Sequence, residues 1–267
     1  MKAARAALVL IAFVAAAAFG EDRLVVIPTR PGVKLGYWMM ERPGATATLV
    51  LLPGGEGGIG FRGGVPTSTN FLVRSRDLFA AKGFDVAIVG RPSDHDDMDE
   101  VFRAGLQHME DLKDVVEKLR SQYGKPVWLV GTSRGTISAA AAGIALGDSI
   151  AGVVLTSSIT LPGDPNAVQN LPLARIRVPV LVMHHQRDSC RATPPSEVPR
   201  IMAGLTGARA KKLVMVDGGS GAYGGVCQPM HWHGYIGMEQ EAVDTIADFI
   251  RDRAPERPAA RGPSPDS

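Results

Sequence analysis

The chain is poor in cysteine, in aromatic residues and in net charge. Two cysteines occur among 267 residues, too few for a small domain that depends on several disulfides. Aromatic residues make up 6% of the chain, and the formal net charge is +2. Because no basic block interleaves with aromatic residues, the sequence lacks the electrostatic pattern of proteins that bind nucleic acid. We therefore expect no nucleic-acid partner.

An apolar run of roughly twenty residues, the length needed to cross a membrane, is also missing. The nearest approach is residues 6–18, an uncharged apolar run that follows Lys2 and Arg5. Small residues at Ala18 and Gly20 offer a cleavage site, so residues 1–20 have the organisation of a secretory signal peptide. We expect an exported protein, periplasmic or secreted, without stable membrane insertion after cleavage. A retained N-terminal anchor is the alternative.

Strand and helix patterns alternate through residues 21–253, which is enough chain for one large domain. Near its start, β-rich runs at 24–28 and 33–39 flank a Pro-Gly turn and predict an opening antiparallel hairpin. The later alternation predicts an α/β fold, with a mostly parallel central sheet and helices on both faces. Residues 254–267 are rich in proline, alanine and charge, which predicts a disordered tail.

The most informative stretch is Gly-Thr-Ser-Arg-Gly at residues 131–135. It lies between a valine-rich strand pattern (126–130) and an alanine-rich helix pattern (136–146). A strand that passes at once into a helix must bend sharply at Ser133, and glycines on either side leave room for that bend. The bend presents the hydroxyl above the sheet, beside a helix N-terminus that favours negative charge. We therefore take Ser133 as the candidate nucleophile.

A serine hydroxyl is a weak nucleophile until a base accepts its proton, and a carboxylate must orient that base. In a parallel sheet such groups lie on loops beyond the carboxyl ends of the strands. Asp188 follows one strand pattern, and His231 and His233 follow the next, just before the last helix. The chain order of serine, acid and histidine therefore supports a catalytic triad.

Other acidic residues also lie near strand ends. Asp94 and Asp96 follow a strand that precedes the serine, which breaks the expected order. Asp217 is better placed to cap the turn into a glycine-rich loop. The alternative for Asp188 is a solvated partner of Arg187.

The remaining histidines have structural expectations. His184 and His185 are expected to pack or hydrogen-bond near the floor of the site. His95 is expected in a loop, and His108 on a helix surface. The pair at 184–185 together with His231 and His233 could alternatively supply nitrogens to a metal ion. Convergence of these loops follows from the topology alone, so we expect no metal site.

From Leu24 to Asp252 the chain resembles the α/β-hydrolases. The features that match are the 131–135 motif, the strand and aspartate over 180–188, and His233-Gly234 ahead of the final helix. The resemblance implies a nucleophilic Ser133, with His233 as general base and then acid, and Asp188 as its orienting partner. His231 remains the alternative base.

The resemblance also implies an oxyanion hole made of two backbone N–H groups. One belongs to Arg134, the residue after the nucleophile. The other comes from the loop after the third strand, where Gly55 is the expected donor and Glu56 the alternative. In this chain Pro53-Gly54 replaces the histidine-glycine that usually opens the loop.

The cysteines flank these candidate positions. Cys190 lies two residues after the acid, and Cys227 lies six residues before His233. In an exported protein we expect them to form a disulfide that joins the acid loop to the histidine loop.

The sequence therefore predicts an exported serine hydrolase that cleaves small-molecule carboxylic esters without a metal or organic cofactor. Amide or peptide cleavage uses the same triad and remains open, as does a binding protein that has lost its activity. Residues 55–60 also match Gly-x-Gly-x-x-Gly, the pattern of dinucleotide-binding loops. That function requires a helix to begin inside the motif, and none is predicted there.

Overall fold

The computed structural model describes residues 21–253, and the expected signal peptide (1–20) and tail (254–267) lie outside the described residues. The described chain forms an eight-stranded sheet. Its strands are β1 (Arg23–Pro28), β2 (Lys34–Met40), β3 (Thr48–Leu52), β4 (Asp85–Pro92), β5 (Val127–Thr132), β6 (Gly152–Thr156), β7 (Val180–His185) and β8 (Lys211–Val216). The helices are α1 (Phe71–Arg74), α2 (Arg76–Ala81), α3 (Glu100–Ala104), α4 (Leu106–Tyr123), α5 (Gly135–Leu146), α6 (Val198–Gly204) and α7 (Glu239–Arg251).

The strand order across the sheet is β1-β2-β4-β3-β5-β6-β7-β8. Strand β2 pairs antiparallel with both β1 and β4, and every later pairing is parallel. The α/β class, the opening antiparallel hairpin and the mostly parallel sheet are therefore confirmed.

The two faces of the sheet are covered by different helices. In β3 all five residues are buried, with Val50 and Leu52 in one hydrophobic cluster and Leu49 and Leu51 in another. The first cluster also contains residues of α4, α5 and α6, and the second contains residues of α1, α2 and α7. A strand buried on both faces needs apolar residues at every position, which explains the continuous hydrophobic runs in the sequence.

The parallel strands end at one edge of the sheet, and the loops that follow them meet there. These loops begin after Leu52, Thr132, His185 and Val216, the last residues of β3, β5, β7 and β8. Residues 157–176, between β6 and β7, contain single 3₁₀ turns at Val168–Asn170 and Leu173–Arg175 rather than a lid domain. Within residues 21–253, no helix is both long and apolar enough to span a bilayer.

The expectation that His108 lies on a helix surface is wrong. Its side chain is fully buried on α4, and its Nε2 lies 2.9 Å from Oγ of Ser138 on α5. Burial, together with the nearby charges of Arg103 and Arg30, lowers the pKa of His108 to about 3. The helical spacing of apolar residues did not mark His108 as buried, because α3 and α5 cover a second face of α4.

Buried neutral His108 predicts a loss of stability between pH 7 and pH 5. The unfolded chain binds a proton there below the ordinary pKa of 6.5, whereas the folded chain stays neutral down to about 3. Because the unfolded state binds more protons in this window, the free energy of unfolding falls as the pH falls, by about 2 kcal/mol at pH 5. Urea unfolding should show that His108→Gln loses about 2 kcal/mol less than the wild type between these pH values. An equal loss in both proteins would contradict a neutral His108.

Candidate active site

A cavity of about 360 Å³ opens at the carboxyl edge of the sheet. Ser133 and His233 both line it, together with residues 54–56 of the loop after β3. Cys227 and Gln228 also line it. The loops predicted to carry nucleophile, base and oxyanion donors therefore meet around one space of the size that small-molecule sites have.

The local backbone holds Ser133 in a strained conformation. Its φ of 53° lies in the left-handed region, which non-glycine residues seldom adopt. A Cβ at Gly135 would lie 1.9 Å from the carbonyl oxygen of Leu52, and one at Gly131 would lie 2.4 Å from that of Gly135. Both positions therefore require glycine, and the strand turns into α5 at Ser133 as the sequence predicts.

Asp188 is buried at 3% exposure and accepts several hydrogen bonds. The N–H of Cys190 donates to its Oδ1 at 3.0 Å, and the hydroxyl of Thr193 donates to its Oδ2 at 2.9 Å. Burial alone would raise the pKa of the carboxyl, but hydrogen bonds from His184 and His233 hold that pKa below its ordinary value. The side chain is therefore a carboxylate at neutral pH.

His233 lies between this carboxylate and the cavity. Its Nδ1 is 2.9 Å from Oδ2 of Asp188, and the residue is 5% exposed. With Nδ1–H donated to the carboxylate, Nε2 carries the free lone pair, which is the tautomer a general base requires. His231 does not line this cavity and packs its ring 5.9 Å from that of Trp232.

Backbone N–H groups are available beside Ser133. In the described chain, the N–H groups of Arg134, Gly55 and Glu56 donate to no backbone acceptor. The loop after β3 approaches the serine closely, because a Cβ at Gly54 would lie 2.7 Å from Cβ of Ser133. Both segments from which oxyanion donors are expected therefore adjoin the candidate nucleophile.

The structure contains the Cys190–Cys227 disulfide. Cys190 is buried beside Asp188, whereas Cys227 is exposed and lines the cavity. The bond closes a loop with a sequence separation of 37, which corresponds to about 4 kcal/mol in the chain-entropy model. It ties the acid loop to the cavity wall that precedes His233.

Two of the competing acids have other partners. Asp94 forms an ion pair with Arg30, with a distance of 2.9 Å. Asp217 pairs with Arg187 at 2.8 Å rather than capping a turn through its side chain. Arg187 is therefore not the partner of Asp188.

Two other sequence patterns do not form the sites they could suggest. Among residues 21–253, no three histidine, cysteine, aspartate or glutamate side chains form a group that could hold a metal ion. His184 and His185 are buried; Nε2 of His184 lies 3.0 Å from the carbonyl of Thr193, and the ring of His185 stacks on Trp232. After the glycine-rich residues 55–60, the next helix starts only at Phe71, so no helix N-terminus lies inside the motif.

Two side chains at the site were not found from the sequence. The hydroxyl of Thr193 lies 2.9 Å from Asp188 and 3.2 Å from Nδ1 of His233. The buried guanidinium of Arg103 donates to the carbonyls of Pro53 and Gly55. Neither residue belongs to a motif, and only the packing of α3 against α5 and the turn after Asp188 bring them to the site.

No protein-family model and no curated protein sequence matches the chain. Solved structures match it in fold, among them an esterase from Pyrococcus furiosus, with a TM-score of 0.64, 18% identity and coverage of 89% of this chain and 94% of that one. A lidless α/β serine hydrolase from Xanthomonas campestris has a TM-score of 0.60 and 16% identity, with coverage of 90% and 98%. An acylaminoacyl peptidase from Pyrococcus horikoshii has a TM-score of 0.62 and 16% identity, with coverage of 92% of this chain and 44% of that one. The protein therefore has the α/β-hydrolase fold.

Proposed function

We propose that the protein is a serine hydrolase that cleaves small carboxylic esters. The observation that carries this proposal is the hydrogen bond of 2.9 Å between Asp188 and Nδ1 of His233, at the cavity that both His233 and Ser133 line. Esterases and serine hydrolases among the structures of the same fold support it. The fold alone does not carry the function, because one fold hosts many activities.

The first half of the reaction forms an acyl-enzyme. Nε2 of His233 takes the proton of the Ser133 hydroxyl as Oγ bonds to the ester carbonyl carbon. The carbonyl electron pair moves onto its oxygen, and this oxyanion accepts hydrogen bonds from the N–H of Arg134 and from one N–H of the loop after β3. When the intermediate collapses, the carbon–oxygen bond to the alcohol breaks and the alcohol takes the proton from His233.

The second half releases the acid. Water attacks the acyl carbon while His233 accepts one of its protons, and collapse returns that proton to Oγ of Ser133. The negative Asp188 stabilises the imidazolium in both halves. Each step uses groups of this chain, so the proposed mechanism assigns no step to a metal or an organic cofactor.

The cavity favours small and polar substrates. Its lining includes the polar side chains of Ser68, Asn70 and Gln228 and the aromatic ring of Phe71. No residue of the segment between β6 and β7 lines it, and that segment forms no lid domain. We therefore assign it short, water-soluble esters rather than long-chain lipids.

Export is part of the proposal. The signal-peptide pattern of residues 1–20 and the disulfide between Cys190 and Cys227 both fit an oxidising compartment.

A fluorophosphonate probe followed by peptide mapping tests the function. We expect one adduct, on the peptide containing Ser133, and turnover of p-nitrophenyl acetate that exceeds turnover of the octanoate ester. A matched p-nitroanilide series tests the peptidase alternative, which the acylaminoacyl peptidase of the same fold raises. If the anilides were turned over faster than the esters, the substrate class would be amides instead of esters. An unlabelled wild-type protein would leave the interpretation as a binding protein without activity.

A further inference from the structure

Arg103 is a buried cation without a carboxylate partner in the described chain. Its side chain is 1% exposed. Its Nε donates to the carbonyl of Met98 and its Nη1 to Oγ of Ser138, at 2.8 and 3.0 Å. Burial lowers the pKa of Arg103 to about 10, so the guanidinium remains charged at neutral pH. A buried charge is costly unless it is fully hydrogen-bonded, so the stability of this guanidinium depends on its hydrogen-bond partners.

The remaining bonds of Arg103 hold the loop after β3. Its Nη2 donates to the carbonyls of both Pro53 and Gly55, each at 3.1 Å. One nitrogen thus bridges two peptide groups of the loop that adjoins Ser133. In a trans peptide the C=O and N–H point in opposite directions, and the described chain has no cis peptide. The bond to the Gly55 carbonyl therefore turns the N–H of Glu56 away from the guanidinium.

Residues 54–57 form a tight turn with this peptide at its centre. The N–H of Gly57 donates to the carbonyl of Gly54 at 3.2 Å. Gly55 has a φ of 57°, whereas Glu56 is not among the residues with positive φ. A positive φ at the first central position followed by a negative φ at the second is the type II′ pattern. Rotation of the central peptide by half a turn would exchange the positions of the Gly55 carbonyl and the Glu56 N–H, and it would convert the turn to type I′ with Glu56 at a positive φ.

We propose that Arg103 is a positioning residue that locks the 55–56 peptide with the Glu56 N–H towards the cavity, which makes that N–H the second oxyanion donor. Gly55 and Glu56 line the cavity, whereas Arg103 does not, so the guanidinium lies on the other side of the loop. In the rotated peptide a carbonyl oxygen would face the developing oxyanion and repel it. This inference rests on the proposed function and decides between Gly55 and Glu56 as the donor.

The wild-type protein allows a direct test. Phenylboronic acid forms a tetrahedral adduct with a nucleophilic serine, and its negative oxygen occupies the position of the oxyanion. In ¹⁵N-labelled protein we expect the amide protons of Glu56 and Arg134 to move downfield on adduct formation, more than that of Gly55. A larger downfield shift at Gly55 than at Glu56 would overturn the assignment of the donor.

Arg103→Lys and Arg103→Met test the lock, with turnover expressed per fluorophosphonate-titrated site so that misfolded protein is not counted. Lysine keeps the charge but has only three donors on one nitrogen, so it cannot make all four hydrogen bonds of the planar guanidinium at once. We expect kcat to fall on the order of 100-fold in both variants, as for loss of an oxyanion donor, with KM changed less than threefold and weaker boronate binding.

Arg30→Lys is the matched control, because Arg30 is also a buried arginine but pairs with Asp111 instead of the loop. We expect its kcat to stay within about twofold. Wild-type kcat in Arg103→Met would overturn the lock while leaving the proposed function intact. A wild-type protein that neither hydrolyses esters nor reacts with the probe would overturn both.

Discussion

Ser133→Ala is expected to lower ester turnover on the order of 10⁴- to 10⁶-fold, to the limit of detection, while the protein stays folded. Without Oγ no acyl-enzyme forms, and any remaining turnover requires direct attack of water on the ester. The substitution removes one oxygen from a half-exposed side chain and leaves the backbone bond from the Ser133 N–H to the Thr156 carbonyl in place. The initial rate with p-nitrophenyl acetate and the thermal unfolding midpoint are the measurements.

Ser158→Ala is the matched control for this experiment. Its hydroxyl is buried without a hydrogen-bond partner in the described chain, so its removal should leave turnover within about twofold. Retention of more than a tenth of the wild-type rate in Ser133→Ala would mean that another nucleophile acts or that the activity comes from a contaminant. Loss of the folded state would instead show that the strained turn depends on the hydroxyl.

His233→Ala should have a comparable effect, on the order of 10⁴-fold or more in kcat, whereas His231→Ala should cost less than about tenfold. The difference follows from their contacts. His233 has one ring nitrogen bonded to Asp188 and lines the cavity, while His231 packs beside Trp232 outside it. The rate of fluorophosphonate labelling at neutral pH gives a second readout, because labelling requires the same proton transfer from Ser133.

The two histidine variants control for each other, since each removes one imidazole from the same short loop. Unfolding midpoints measured alongside separate lost chemistry from lost structure. The opposite ranking, with slow turnover in His231→Ala and normal turnover in His233→Ala, would assign the base to His231. Asp188 would then have no role as the partner of the base.

Much of the architecture could be read from the order of patterns along the chain. The apolar runs that become β3, β5 and β7 are buried on both faces, and such runs, separated by helices, have few arrangements other than a parallel sheet. The bend at Ser133 was also readable, because Gly131 and Gly135 are required by close backbone contacts that any strand-to-helix turn of this kind produces. These constraints are local, because each depends on a residue and its near neighbours in the sequence.

The surroundings of the candidate triad were not readable in the same way. Thr193 reaches Asp188 because the turn after Cys190 folds back. The N–H of Cys190 and the hydroxyl of Thr193 then both donate hydrogen bonds to the carboxylate. His108, which the sequence placed on the surface, is buried because α3 and α5 close over it. No periodic signal marks such positions, since their environment is made by distant segments.

By itself, then, the sequence determined the α/β class, the turn at Ser133 and the short set of acids and histidines that could serve it. Only the tertiary structure decided that His233, and not His231, lies between Asp188 and the cavity. It also decided that Arg103 donates hydrogen bonds to the loop beside the serine. The reason is physical. Backbone turns and buried strands depend on a residue and its near neighbours, whereas a hydrogen bond between side chains depends on where separate elements pack.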